Sequence, residues 1–198
     1  MASSGWPAAR AATSPAPNWS STAGFRFAKP RAMTATLHVI FGPQGAGKST
    51  YAKDLARRLP AVGFAIDDWM GRLFGPDMPE PLEFQWMMDR VERCEAQIWS
   101  TAAGVLAAGT SVVMDLGLMR RSDRQRVAQI AEAVEIPLQF HFVTAPAEVR
   151  RERVLGRQEV SGEGFRLLVT PEMFHFTEKA YEAPDEAELR GCVVSESV

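Results

Sequence analysis

The sequence predicts an α/β fold built on a mostly parallel sheet. Two observations carry that prediction. Short apolar runs alternate with longer segments of helical periodicity along the body of the chain. The first apolar run also breaks into a glycine-rich turn that opens directly into a helix-forming segment. At 198 residues the chain is long enough for one such domain with a sizeable core, and too short for two comfortable ones.

The elements follow in order. Leu37 to Phe41 reads as a buried first strand, ended by the glycine-rich turn. Thr50 to Leu59 is helical, with Pro60 as its stop. Val62 to Ile66 reads as a second strand ending at Asp67-Asp68. Gly71 to Pro81 carries Gly75, Pro76, Pro79 and Pro81, so a largely loop conformation is expected. A long helix is expected from Glu83 to about Ala107, with Met87, Val91, Cys94, Ile98 and Val105 on its apolar face. Ser111 to Met114 is a third strand that reaches Asp115. Ser122, with Gln125 three residues on, suggests a capping box opening the next helix. Leu138 to Val143 is a fourth strand, and Pro146 suits the first turn of the helix after it. Pro171 to Tyr181 reads as a helix and Cys192 to Ser195 as the last strand.

Composition bounds the functional classes. The formal net charge of −2 gives no global attraction to nucleic acid or membrane. No apolar run approaches the roughly 20 residues that span a bilayer. Cys94 and Cys192 stand far apart and in no metal-type spacing, which suits a reducing compartment. A cytoplasmic location is expected. Residues 1–32 differ from the rest. They are rich in Ala, Ser and Pro, are basic through Arg10, Arg26, Lys29 and Arg31, and precede the first acid of the chain, Asp54. Disorder is expected there, as an extension upstream of Met33 or as a transit segment. Trp6, Trp19, Phe25 and Phe27 are the discordant feature, since they could dock on the body. Residues 33–198 are expected to form the folded domain.

The chemistry starts at Gly42-Pro43-Gln44-Gly45-Ala46-Gly47-Lys48-Ser49-Thr50. Gly42, Gly47, Lys48 and Ser49 occupy every fixed position of the G-x-x-x-x-G-K-[ST] phosphate cradle, between a strand and a helix as that motif requires. Glycines let the backbone wrap around phosphate and turn its amides inward. The helix start points its positive end at the anion. Lys48 would reach the β- and γ-phosphates, and Ser49 would ligate Mg²⁺. Bound nucleotide is therefore expected, ATP or GTP, held by Gly42, Gln44, Gly45, Ala46, Gly47, Lys48, Ser49 and Thr50.

Acids and arginines at the C-terminal ends of strands extend this site, because that edge is where open parallel sheets bind ligands. Asp67 directly ends the second apolar run and is the preferred general base; Asp68 would cap the following helix. Asp115 would hold Mg²⁺ through water, or simply form a turn before Gly117. Arg72, Arg120 and Arg124, with Asp68, are candidate substrate contacts; the arginines would equally serve as solvated charges. Arg150, Arg153 and Arg157 share one helical face, and Gly156, Gly162 and Gly164 follow. That pattern suits a mobile lid whose Arg153 and Arg157 stabilise a transferring phosphoryl group. The alternative is an exposed helix paired with Glu148 and Glu152.

From about residue 34 the chain resembles the small P-loop kinases labelled predicted kinases or AAA-type ATP-binding proteins. This group includes polynucleotide 5′-kinase, chloramphenicol phosphotransferase, zeta toxin and gluconate kinase. The resemblance rests on Gly42–Thr50, Ile66-Asp67-Asp68-Trp69 with Arg72, Val113–Gly117, the run Arg150–Arg157, Val169–Phe174 and Tyr181–Pro184. It implies a three-layer fold with a five-stranded parallel sheet in spatial order 2-3-1-4-5 and an arginine-bearing lid. It also implies ATP·Mg²⁺ on Lys48 and Ser49, and Asp67 as base. The expected activity is an ATP-dependent kinase acting on a hydroxyl of a small molecule, antibiotic or sugar-like. The rivals are a polynucleotide 5′-hydroxyl kinase, an ATPase or nucleotide switch without an acceptor, and a toxin acting on a nucleotide sugar. Gly71–Pro81 and the helix after it match no characterised substrate site, so the acceptor stays open.

Overall fold

The computed structural model describes residues 35–156 and 169–197. Residues 1–32, with their four aromatic side chains, lie outside the described residues, as do Arg157, Gly162 and Gly164. The elements in chain order are β1 (Leu37–Phe41), α1 (Lys48–Arg58), β2 (Val62–Ala65), α2 (Ile66–Phe74), a 3-10 turn (Gly75–Asp77), α3 (Phe84–Ala107), β3 (Val112–Asp115), α4 (Arg121–Ala133), β4 (Leu138–Thr144), α5 (Ala147–Leu155), α6 (Pro171–Ala180), α7 (Glu186–Leu189) and β5 (Cys192–Glu196).

The five strands form one all-parallel sheet in the order β2-β3-β1-β4-β5. Leu37 registers with Val112 on one side and with Leu138 on the other. Strand alternation then divides the core into two layers. Leu37, Val39, Phe41, Val112 and Met114 face the side where Ile98, Ala102 and Leu106 of α3 and Val127 of α4 pack. Ile40, Val113 and Val143 face α1 through Ala52 and Leu55. The central strands are buried on both faces, which is why β1, apart from His38, and β3, up to Asp115, read as apolar runs rather than alternating ones. The α1 side also holds a polar chain. Tyr51 Oη lies 2.9 Å from His141 Nδ1, and His141 Nε2 lies 3.0 Å from His38 Nδ1. Burial lowers the pKa of both imidazoles, that of His141 to about 4.

Three expectations are corrected. β2 stops at Ala65, and Ile66-Asp67-Asp68 already form the first turn of α2, so neither aspartate caps that helix. Gly71–Phe74, expected as loop, continues α2, and Pro76 sits in the first turn of the 3-10 segment, where its missing N–H costs nothing. The start of α4 is set two residues earlier than the Ser122–Gln125 pattern suggests, with Arg120 as its N-cap. There the Asp123 carboxylate accepts the Arg120 backbone N–H at 3.2 Å. The one-turn helix α7 went unread, although Asp185 and Glu188 form a capping box there.

Asp123 also acts on a half-buried carboxyl of α3. Burial is the main reason that the pKa of Glu95 rises to about 7; Arg126 opposes the rise, while Asp123 and Glu92 add to it. Because the folded value lies above the ordinary 4.5, the ionised form is disfavoured in the fold. The resulting cost is fully present above about pH 7 and disappears as pH falls below the unfolded value. Glu95→Gln should therefore stabilise the protein by about 1–3 kcal/mol near pH 8, a gain of several degrees in Tm. The gain should shrink toward zero by about pH 5. Thermal melts of both proteins at the two pH values check this; a gain independent of pH would show that Glu95 carries no such penalty.

Candidate functional site

The site begins where β1 turns into α1. Gly42 has φ +147, and a Cβ there would be built into the Val143 carbonyl oxygen of β4. Gly45 has φ +80, and its Cβ would stand 2.6 Å from the Arg150 carbonyl oxygen and 2.9 Å from a Val154 methyl. The loop is thus pressed against backbone on its outer side, and only glycine permits that approach. Gly47, at φ 90, precedes α1 without a capping side chain. The N–H groups at this helix start are left for a ligand. Lys48 Nζ donates to the Pro43 carbonyl at 2.9 Å, which holds the ammonium across the loop. Thr50 is exposed in the first turn of α1, and Gln44 Oε1 is buried without a hydrogen-bond partner among the described residues.

Beside the loop, Ser49 Oγ donates to Asp115 Oδ2 at 2.7 Å. Asp115 ends β3 and is only 6% exposed. Burial raises its pKa, opposed by Lys48 and by the Ser49 hydrogen bond. Asp67 keeps solvent contact, yet the surrounding protein strips enough hydration to raise its pKa, with repulsion from Asp115 and Asp68 and attraction to Lys48. Asp67, Asp115 and Lys48 therefore share one electrostatic neighbourhood at the C-terminal edge of the sheet. Asp68 repels Asp115 as well, and it pairs with Lys53 of α1 at 3.6 Å. Two hard oxygen donors, Ser49 and Asp115, suit Mg²⁺, which takes few protein ligands and completes its shell with phosphate and water. Among the described residues no cluster of three or more His, Cys, Asp or Glu could hold a metal by itself.

The arginines separate into two groups. Arg124 is 2% exposed; its guanidinium grips Glu188 at 2.8 and 3.1 Å, donates to the Glu182 carbonyl at 3.0 Å, and lies 5.1 Å from the Phe41 ring centre. It joins α4 to the segment before β5, so it is not open to substrate. Arg150 is likewise spent on the framework. It donates to Glu178 at 2.5 and 2.7 Å, to the Ala145 carbonyl at 2.9 Å and to the Gln44 carbonyl at 3.3 Å. Its partner is Glu178 of α6, not Glu148 or Glu152. Arg72 and Arg120 are exposed, at the end of α2 and the start of α4. Arg153 donates to Ser197 Oγ at 2.6 Å, and Ser197 Oγ donates in turn to the Ala46 carbonyl at 3.1 Å. Ser197 carried no signal in the sequence, because it meets the loop across 151 residues of chain.

Comparisons with known proteins agree with the fold. A model of the AAA domain family matches residues 37–169. No curated protein matches the sequence. Among solved structures, a kinase-like protein from Chloroflexus aurantiacus J-10-fl superposes with a TM-score of 0.66 at 20% identity, over 82% of this chain and 88% of that one. A sugar kinase from Janibacter sp. HTCC2649 gives 0.53 at 18% identity, over 81% and 84% of the two chains. A gluconokinase from Sinorhizobium meliloti 1021 gives 0.51 at 19%, over 83% of each. At these identities the likeness shows the fold, a P-loop α/β sheet shared with small kinases. Among the described residues no helix is long and apolar enough to cross a membrane. The chain belongs to the AAA domain family of P-loop proteins.

Proposed function

We propose that this protein is an ATP-dependent kinase that transfers the γ-phosphoryl group to a hydroxyl of a small molecule. One observation carries the reading: a solvent-accessible carboxylate, Asp67, shares the edge that holds Lys48, Ser49 and Asp115. A nucleotide-binding module that only senses ATP has no need of a second acid placed to take a proton from an attacking hydroxyl.

The roles follow from position. Backbone amides of Gly45, Gly47 and Lys48, with the Lys48 ammonium, bind the phosphates. Ser49 and Asp115 would hold Mg²⁺, which would supply positive charge to offset that of the phosphates. Asp67 accepts the proton of the acceptor hydroxyl as its oxygen bonds to the γ-phosphorus and the bond to the β–γ bridging oxygen breaks, releasing ADP. Arg153 stands on α5 beside the loop and is the arginine proposed to reach the phosphoryl group. Arg157 is proposed as its companion from the resemblance alone.

Asp67 must be ionised to act as a base, and its pKa is raised. The acid limb of kcat/KM should therefore lie above the ordinary carboxylate range, with activity lost as pH falls through it. Asp67→Asn should leave ATP affinity near wild type while cutting turnover about 10²–10⁴-fold, roughly 3–5 kcal/mol of barrier. Asp68→Asn gives up only the half-exposed Lys53 pair and should be mild. ADP release with and without an alcohol panel, and ATP titration, check both; full turnover by Asp67→Asn would remove the proposed base.

The Ser197 hydroxyl gives a second test. Ser197→Ala leaves the Ala46 carbonyl without its donor beside a loop residue that is 0% exposed. A lost hydrogen bond of about 1 kcal/mol corresponds to roughly a fivefold weaker ATP affinity, which titration calorimetry resolves. Unchanged affinity would show that the loop keeps its shape without the Ser197 hydrogen bond.

A further inference from the structure

Helix α3 is too long for the sheet it serves. Its 24 residues extend about 36 Å, whereas a strand of four residues such as β3 covers about 13 Å. The helix ends where β3 begins, so its excess length projects beyond the opposite edge, the one that carries the phosphate loop. Burial along the helix shows the same division. Its buried residues, Cys94, Ile98, Ala102, Ala103 and Leu106, all lie at or beyond Cys94, and none lies in the first ten residues. Two further steps of four along the row from Cys94 reach Arg90 and Trp86. Each step turns the row by about 40°, which carries it off the core side. There it meets α2.

The guanidinium of Arg90 lies 3.8 Å from the Trp86 ring centre and 5.7 Å from that of Phe74, and its Nη1 donates to the Trp86 carbonyl at 3.0 Å. Its Nε is buried with no acceptor among the described residues. The three side chains are only part-buried, so aromatic and cationic surface stays accessible on the part of α3 that projects beyond the sheet. Phe74 sits seven residues after Asp67 on the same face of α2. The two positions are about 10 Å apart along the helix.

Building on the kinase reading, we propose that the acceptor is a planar-ring alcohol of nucleoside size, its ring lying on the Phe74–Arg90–Trp86 stack and its hydroxyl presented to Asp67. Stacking on Trp and Arg faces accepts flat π-systems and gives a ring-free polyol no comparable contact. The span from Phe74 to Asp67 sets the distance between ring and reacting hydroxyl.

The experiment uses the full chain loaded with Mg²⁺ and a non-hydrolysable ATP analogue, so that ring compounds cannot occupy the nucleotide site. Two sets of alcohols are titrated by calorimetry: nucleosides and aryl-substituted diols in one, ring-free polyols such as gluconate and ribitol in the other. ADP release with ATP is then measured for the same compounds. The expected result is binding and turnover within the ring-bearing set. Trp86→Ala should raise the acceptor KM at least tenfold while the ATP KM stays within twofold, and Trp86→Phe should restore most of the loss. Arg90→Lys keeps the charge but loses the planar stack, and should also weaken ring binding. A stack that merely pins α2 to α3 would lower Tm in Trp86→Ala and leave acceptor binding unchanged, which overturns the proposal. So does binding by neither set, or faster turnover of a ring-free polyol; in the last case the kinase reading stands. Ring binding that depends on Trp86, with ADP release never above the water rate, supports the shelf and removes the kinase reading instead.

Discussion

The close approach of the loop after β1 to the backbone around it is the constraint on which this structure depends. Gly42 lies against a carbonyl of β4, and Gly45 against a carbonyl of α5. A side chain at either position would push the loop outward and turn its amides away from the phosphate position. The hydrogen bonds around the loop make the same demand from the other side. Arg150 holds the Gln44 carbonyl and Ser197 holds the Ala46 carbonyl. With those carbonyls fixed outward, the amides are left facing in. Preorganisation of this kind is what lets a backbone loop bind an anion without first paying to order itself.

Parallel topology supplies the rest of the site. With all five strands running one way, their C-terminal ends and the residues just beyond them gather on one edge. Asp67 after β2, Ser49 after β1 and Asp115 at the end of β3 meet there although they are far apart in sequence. Burial raises the pKa of both Asp67 and Asp115, helped by repulsion from Asp115 and Asp68 at Asp67 and from Asp68 at Asp115, a cost in stability that a purely structural sheet would avoid. Arg124 and Arg150 illustrate the opposite use of charge. Each is almost fully buried and paired with a glutamate of the C-terminal region, so their role is to fasten that region to the sheet and the loop.

The phosphate loop, the central strands and the long α3 were legible in the sequence because each follows from local rules, whereas the strand order came only with the family resemblance. Glycine spacing before Lys48-Ser49 determined the cradle. Unbroken apolar runs marked the central strands, and the helical period marked α3. The boundaries at Asp67-Asp68 and at Arg120 were misread by one or two residues, since a helix start is fixed by which backbone groups find partners.

Only the tertiary structure decided what the arginines do. Arg124, Arg150 and Arg153 look alike in sequence, as cations on helices beside a phosphate loop. Their fates depend on which acceptors the fold brings within about 3 Å: Glu188 and the Glu182 carbonyl for Arg124, Glu178 for Arg150, Ser197 for Arg153. The stacking of Arg90 between Phe74 and Trp86 is likewise a product of packing between α2 and α3. Chain-local signals determine which element forms; pairing between distant elements needs their relative placement, and no local spacing encodes that.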